Sequence, residues 1–303
     1  MTPLKEIECI RVQNIKEIMS PNEIREKMVK KRVEKIPIIN NDDEILGLVT
    51  FKDLERINER PSANLDSKGR LYVGAAVGAN DVVRARRLQE AGVDVLVVDV
   101  ANGHGKLCLD TVRELKKHVT VDIVAGSIAT GDGAKRLIEA GADGVRCGIG
   151  NGSICITRIV AGAGVPQLTA IFDVAKICKE FNVPLISDGG NRFSGNMCKA
   201  LAAGADCVML GRLVGGCEES PSKVLYKDGK LVKIFRGMAG LGANISKSQR
   251  MGEKPADTKK YNAEGVEGYI PYAGPLKDVL HQFVSGIRSG ISYCGGFSIA
   301  ECQ

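Results

Sequence analysis

The chain predicts an α/β fold of the (β/α)8 barrel type, and three features carry that prediction. A helix–turn–strand unit recurs from Leu71 onward, as RRLQEAGVDVLVVDVANG (86–103), KRLIEAGADGVRCGIGNG (135–152) and KALAAGADCVMLGRLVGG (199–216). In each copy an amphipathic helix runs into Ala-Gly, a short turn carries Asp, and an apolar strand follows. Between the copies lie further apolar strands, YVGAAVG (72–78), VDIVAGS (121–127) and VPLISDGG (183–190). Strands apolar throughout, alternating with helices, belong to a parallel sheet buried on both faces. Composition agrees: 36 glycines, 4% aromatics and no tryptophan suit tight βα turns better than an aromatic-rich sandwich.

Six strands are readable between 72 and 213, each ending in Gly, Asp or Ser. In a β/α barrel that C-terminal edge carries the chemistry. A doubly wound open sheet is the alternative, disfavoured because no GxGxxG opens a helix after the first strand. Residues 1–60 differ, being rich in Lys, Glu, Ile and Asn and poor in Gly. There NEIREKMVKKRVEK reads as a helix capped by Ser20, IPIIN and ILGLVT as a hairpin around NDDE, and FKDLERINE as a closing helix. The polar stretch from Arg60 to Arg70 reads as a linker, and 61–303 as the catalytic domain.

The net charge of +6 is scattered, and its densest run, Lys27 to Lys35, reads as a solvated helix face. Without aromatic interleaving it does not point to nucleic acid, although a mild positive balance suits an anionic substrate. The ten cysteines contain no CxxC pair, and Cys147, Cys178, Cys198 and Cys207 sit in apolar or helical contexts, so buried reduced thiols of a cytoplasmic protein are expected. No secretory leader is read at Met1, and no apolar run reaches membrane-spanning length. His104, His118 and His281 have no metal-binding spacing; His118 is expected at the surface and His104 in a plain loop.

The chemistry concentrates in GIGNGSICITR (148–158), a glycine-rich loop after the strand GVRC. Gly148, Gly150 and Gly152 open backbone conformations closed to other residues and let carbonyls or amides converge on a small ion. Cys155 lies among small and hydroxylic neighbours, where a thiolate can be exposed and activated. On spacing alone, a loop cysteine is more often inert.

This loop resembles the active-site loop of the inosine monophosphate dehydrogenase / guanosine monophosphate reductase family. IVAGAGVPQLTAI (159–171), SDGG (187–190), VMLGRL (208–213), RGM (236–238), EGVEGYIPYAG (264–274) and IRSGISYCGG (287–296) match in order, so the resemblance runs from about residue 20 to 303. It implies that Cys155 attacks C2 of a purine nucleoside monophosphate, with Thr157 beside the sulfur handling water or ammonia. It implies that Asp188 accepts hydrogen bonds from the ribose hydroxyls and that Gly190, Gly211 and Arg212 cradle the phosphate. Ser153, Gly237, Met238 and Glu264 would complete the substrate site, with Glu264 on the purine ring nitrogen. Asp99, Asn102, Gly103 and Gly148 would meet a nicotinamide cofactor, NAD or alternatively NADPH. The carbonyls of Gly150, Gly152 and Cys155 would form most of a potassium site, and a homotetramer is implied.

By the same resemblance, residues 20–56 are similar to half of a cystathionine-β-synthase-type (CBS) regulatory module, and the barrel is expected to lack the family's first two strands. The flap is expected over 239–264, with Arg250 as the counterpart of the dehydrogenase's water-activating arginine and Met251 in place of its tyrosine partner. DVANGHG (99–105) and PQLTA (166–170) look reductase-like, whereas the tail and flap length look dehydrogenase-like. Ala239-Gly240-Leu241 replaces a glutamate that reductases carry, and Phe235 replaces a tyrosine that helps hold the phosphate. The balance of these features favours oxidation of inosine monophosphate with NAD over reduction of guanosine monophosphate with NADPH; a non-catalytic nucleotide-binding protein is the third reading.

Overall fold

The computed structural model describes residues 19–40, 42, 44–59, 63–66, 69–251 and 262–303. The chain divides into two compact units, Met1–Tyr72 and Val73–Gln303.

In the first unit, helix α1 (Pro21–Lys31) precedes strands β1 (Lys35–Ile39) and β2 (Ile45–Thr50), which pair antiparallel, and helix α2 (Phe51–Glu59) follows. Ser20 and Glu23 form a reciprocal capping box that satisfies amides at the start of α1. Met28, Ile36 and Leu54 form the small buried core. Part of the expected linker is ordered: Leu65 bridges Leu71, and Asp66 pairs with Arg70 at 2.7 Å, because the acid and base stand four residues apart across a turn.

The second unit is built on a parallel sheet of β3 (Gly74–Val77), β4 (Val95–Asp99), β5 (Asp122–Ile128), β6 (Gly144–Cys147), β7 (Leu185–Asp188) and β8 (Cys207–Met209), lying side by side in chain order. Helices α3 (Val82–Glu90), α4 (Lys106–Lys116), α5 (Gly131–Glu139), α6 (Thr157–Val160), α7 (Gln167–Glu180) and α8 (Ser194–Ala202) connect these strands. Leu96, Val98, Ile123, Val145 and Leu185 from the strands pack with Val112, Leu115, Leu137, Ile171 and Val174 from the helices in one core.

The recurring Ala-Gly-[Val/Ala]-Asp has a physical meaning. Gly92, Gly141 and Gly204 end α3, α5 and α8 with φ of +84°, +105° and +114°, a region that favours glycine. The aspartate two residues later reaches back to the preceding strand: Asp94, Asp143 and Asp206 accept the amides of Val73, Ile123 and Leu185 at 2.7, 2.8 and 2.7 Å. Each repeat therefore ends a helix and sets the register of the next strand at once.

Burial falls from the centre of the sheet outward. All four residues of β6 and five of seven in β5 are buried, whereas β4 and β7 alternate and β8 has none buried. Burial on both faces thus holds only for the central strands, because the sheet is a curled half-barrel rather than a closed one; among the described residues β3 and β8 each pair with one strand. The same geometry corrects the expectation for Cys207, which is exposed on the edge strand β8, while Cys147 and Cys178 are buried. His118 follows the end of α4, partly exposed, and its ring contacts Glu114 and Arg86 at 2.8 and 2.7 Å.

After helix α9 (Arg212–Gly215), strands β9 (Val224–Lys227), β10 (Lys230–Arg236) and β11 (Glu267–Pro271) make an antiparallel sheet in the order β11-β10-β9. Helix α10 (Leu241–Met251) occupies the first half of the expected flap, and helices α11 (Leu276–Tyr293) and α12 (Ile299–Cys302) close the chain. No described helix is long and apolar enough to cross a membrane.

Candidate active site

The loop after β6 is held by backbone on two sides. Ile156 N donates to Glu264 O at 2.8 Å and Val266 N to Ile154 O at 3.0 Å, so Cys155 bridges Gly265 in antiparallel fashion. The strip 264–266 is pinned in turn to the Gly237–Gly240 turn, since Gly237 N donates to Val266 O at 2.9 Å and Glu264 N to Ala239 O at 3.1 Å. A Cβ on Gly237 would stand 3.1 Å from the Gly265 backbone, so the absence of a side chain permits this approach.

That ladder aligns three side chains. The Cys155 thiol donates to Thr157 Oγ1 at 3.2 Å, and the Thr157 hydroxyl donates to Glu264 Oε2 at 2.7 Å. Cys155 is half-buried, reachable yet positioned. A thiol–hydroxyl–carboxylate line can take the proton from sulfur and return one to a group leaving nearby.

Asp188 ends β7 beside this loop. Gly148 has φ +149°, and a Cβ there would lie 2.0 Å from Asp188 O, so the ends of β6 and β7 meet only through glycine. Asn151 donates to Asp188 O at 2.8 Å, and Gln167 Nε2 donates to Cys147 O at 2.9 Å and Ser187 Oγ at 3.1 Å.

Arg146, in the middle of β6, was not among the expected site residues, yet it joins two that were. Its guanidinium donates to Asp188 Oδ2 at 2.7 Å and to Asp99 Oδ1 at 2.5 Å. The Arg146 side chain is 9% exposed, that of Asp188 25% and that of Asp99 50%. Burial pushes the Asp188 carboxyl above the usual aspartate range and Asp99 adds to this, with Arg146 pulling the other way. A charged residue inside the apolar strand Gly-Val-Arg-Cys was the available signal, because a buried guanidinium requires partners.

Asn102, Gly103, Gly190, Gly211 and Arg212 follow strands of the parallel sheet at the same edge. Asn102 follows β4, where its Oδ1 accepts the His104 amide at 3.1 Å; Gly103 N donates to Ser127 O at 2.7 Å. His104 lies in the loop before α4, where its Nε2 stands 3.2 Å from Asp132. Gly190, with φ +75°, and Gly211 follow β7 and β8, which are paired neighbours, and Arg212 opens α9 half-buried. Ser153 is exposed, and so is Met238 at 76%, which leaves its side chain open to a ligand rather than packed. Position 250 lies in α10, but the side chains of Arg250 and Met251 fall outside the described residues, as does 252–261.

Comparison with known proteins gives this arrangement its context. A family model described as "IMP dehydrogenase / GMP reductase domain" matches residues 6–303. A GMP reductase of Leishmania donovani is 54% identical over 93% of this chain and 58% of its own length. An inosine-5'-monophosphate dehydrogenase of Aquifex aeolicus is 49% identical, again over 93% of this chain and 58% of its own. The crystal structure of GMP reductase C318A from Trypanosoma brucei in complex with guanosine 5'-monophosphate superposes with a TM-score of 0.85 at 48% identity, covering 96% of this chain and 60% of that one. The chain therefore spans about 60% of the length of such relatives.

Proposed function

Because the chain belongs to the IMP dehydrogenase / GMP reductase family, we propose that it acts on purine nucleoside monophosphates as a nicotinamide-dependent oxidoreductase, with Cys155 forming a covalent adduct at purine C2. The observation that carries this reading is the line Cys155–Thr157–Glu264, at 3.2 and 2.7 Å. Thr157 accepts the thiol proton as its own proton moves to Glu264, and the thiolate attacks C2. When an amine leaves C2, Glu264 returns the proton through Thr157. Asp188, oriented by Arg146, accepts the ribose hydroxyls; Gly190, Gly211 and Arg212 receive the phosphate; Ser153, Gly237 and Met238 border the base.

A nicotinamide cofactor, NADPH or NAD, supplies or accepts hydride at C2 when bound. The residues present fit its ribose: Asp99 is half exposed with one oxygen held by Arg146, and Gly103 lies so close to β5 that a Cβ would stand 2.9 Å from Gly126. Asn102 and Gly148 border the same space. Carbonyls of Gly150, Gly152 and Cys155 would hold potassium, and the left-handed φ of +76° at Gly150 suits a loop that turns its carbonyls inward.

Departure of an amine needs a proton donor beside the sulfur, and the relay provides one, which favours reductive deamination of guanosine monophosphate. The GMP reductase names among relatives support the same direction. Oxidation of inosine monophosphate is the second reading, favoured by Ala239-Gly240-Leu241 in place of the reductase's glutamate and by relatives named as dehydrogenases. Absorbance at 340 nm separates the two: a fall with guanosine monophosphate and NADPH, a rise with inosine monophosphate and NAD. No change with either pair would remove the enzymatic proposal. Cytoplasmic location, homotetrameric assembly and a half CBS module at 20–56 complete the proposal by family likeness.

A further inference from the structure

Away from the site, the last two helices bring three sulfurs together. Cys198 of α8, Cys294 at the C-terminal cap of α11 and Cys302 of α12 line one small cavity. Two glycines make room for the sulfurs. A Cβ on Gly290 would lie 2.4 Å from the Cys198 Sγ, and one on Gly296 would lie 3.1 Å from the Cys302 Sγ. Gly295, at φ +77°, reverses the chain so that α12 folds back toward the end of α11.

The three thiols differ in setting. Cys294 is exposed; Cys302 is half-buried, and its thiol donates to Ile291 O at 3.8 Å, in the turn of α11 just before Cys294. Cys198 faces inward, its thiol donating to the carbonyls of Gly286 and Ile287 at 3.6 and 3.7 Å, and burial pushes that thiol above the usual cysteine range. Among the described residues no cluster is disposed to hold a metal ion, so the chemistry open to this group is thiol–disulfide exchange.

We propose that Cys294 and Cys302 form a reversible intrachain disulfide on meeting a low-molecular-weight disulfide oxidant, while Cys198 stays a thiol. The Cys294 thiolate attacks one sulfur of the oxidant and expels the other as a thiolate. The Cys302 thiolate then attacks the Cys294 Sγ and expels the remaining half. Two protein thiols have lost two protons and two electrons, and the oxidant has become two thiols. The product staples α12, whose neighbour Gln303 already donates to Leu201 O and Ala205 O at the end of α8.

The test treats the full chain with oxidised glutathione, blocks remaining thiols with iodoacetamide and maps tryptic peptides. Cleavage after Arg288 leaves both cysteines in 289–303, whereas Cys198 falls in 193–199. The expected result is loss of alkylation at both sites of 289–303 together, a mass lower by two hydrogens, and reversal by dithiothreitol. Cys198→Ser should leave this unchanged, and Cys302→Ser should trap a mixed glutathione disulfide on Cys294. Full alkylation of both cysteines after treatment, a cross-link from 289–303 to 193–199, or disulfide-linked dimers would each overturn the proposal.

Discussion

Arg146 shows how a single residue ties the sheet to its chemistry. A guanidinium inside a parallel strand must be partnered, and its partners are Asp99 and Asp188, the carboxylates assigned to the cofactor and substrate riboses. Because burial raises the Asp188 carboxyl, it should lose its charge as pH falls at a higher pH than an ordinary aspartate, weakening nucleotide binding there. Arg146→Met removes the opposing pull, so the fall in nucleotide affinity should begin at still higher pH. The cost in stability should be about 1–3 kcal/mol, since Asp99 is half exposed and rehydrates; calorimetric titration and urea unfolding read the two effects. At the reactive line, Glu264→Gln keeps a hydrogen-bonding group but cannot hold the thiol's proton. It should reduce kcat by about 10²–10⁴-fold with KM less affected. An unchanged kcat would remove Glu264 from the relay.

At the scale of the element, much of the architecture was readable and the site only partly so. All six strands of the parallel sheet lie where apolar runs marked them, and Gly92, Gly141 and Gly204 end their helices as the repeats indicated. Those features are local, set by a residue's own backbone and its immediate neighbours. The Arg146 bridge, the reach of Asp94, Asp143 and Asp206 to the preceding strand, and the pinning of Cys155 against Gly265 join residues far apart in the chain. Periodicity cannot show such pairings. The helical first half of the flap was obscured because Gly242 sits inside α10, where a Cβ would meet Glu267 Oε1 at 2.2 Å. Gly148→Ala tests how closely the β6 and β7 ends must approach. The added carbon would have to move Asp188 or the loop, so the substitution should cost about 3 kcal/mol or more in urea unfolding, with slower Cys155 chemistry.

On the scale of the whole molecule, the core between sheet and helices lies within Val73–Gln303, and the hairpin unit has its own core of Met28, Ile36 and Leu54. A chain limited to 73–303 should therefore still unfold in one cooperative transition, because the core that holds it together lies within it. Loss of cooperative unfolding in that piece would show that the first unit is needed. The half-barrel holds the proposed site together at one edge, since Cys155, Thr157, Glu264 and both carboxylates arise from β4, β6, β7 and the segments pinned to them.

The central claim is that Cys155 meets the purine, and differential alkylation tests it most directly. With limiting iodoacetamide, Cys155 should label faster than the buried Cys108, Cys147, Cys178 and Cys217, and guanosine or inosine monophosphate should slow that labelling in proportion to site occupancy. Labelling of Cys155 that neither nucleotide alters, at concentrations that saturate binding, would contradict the account.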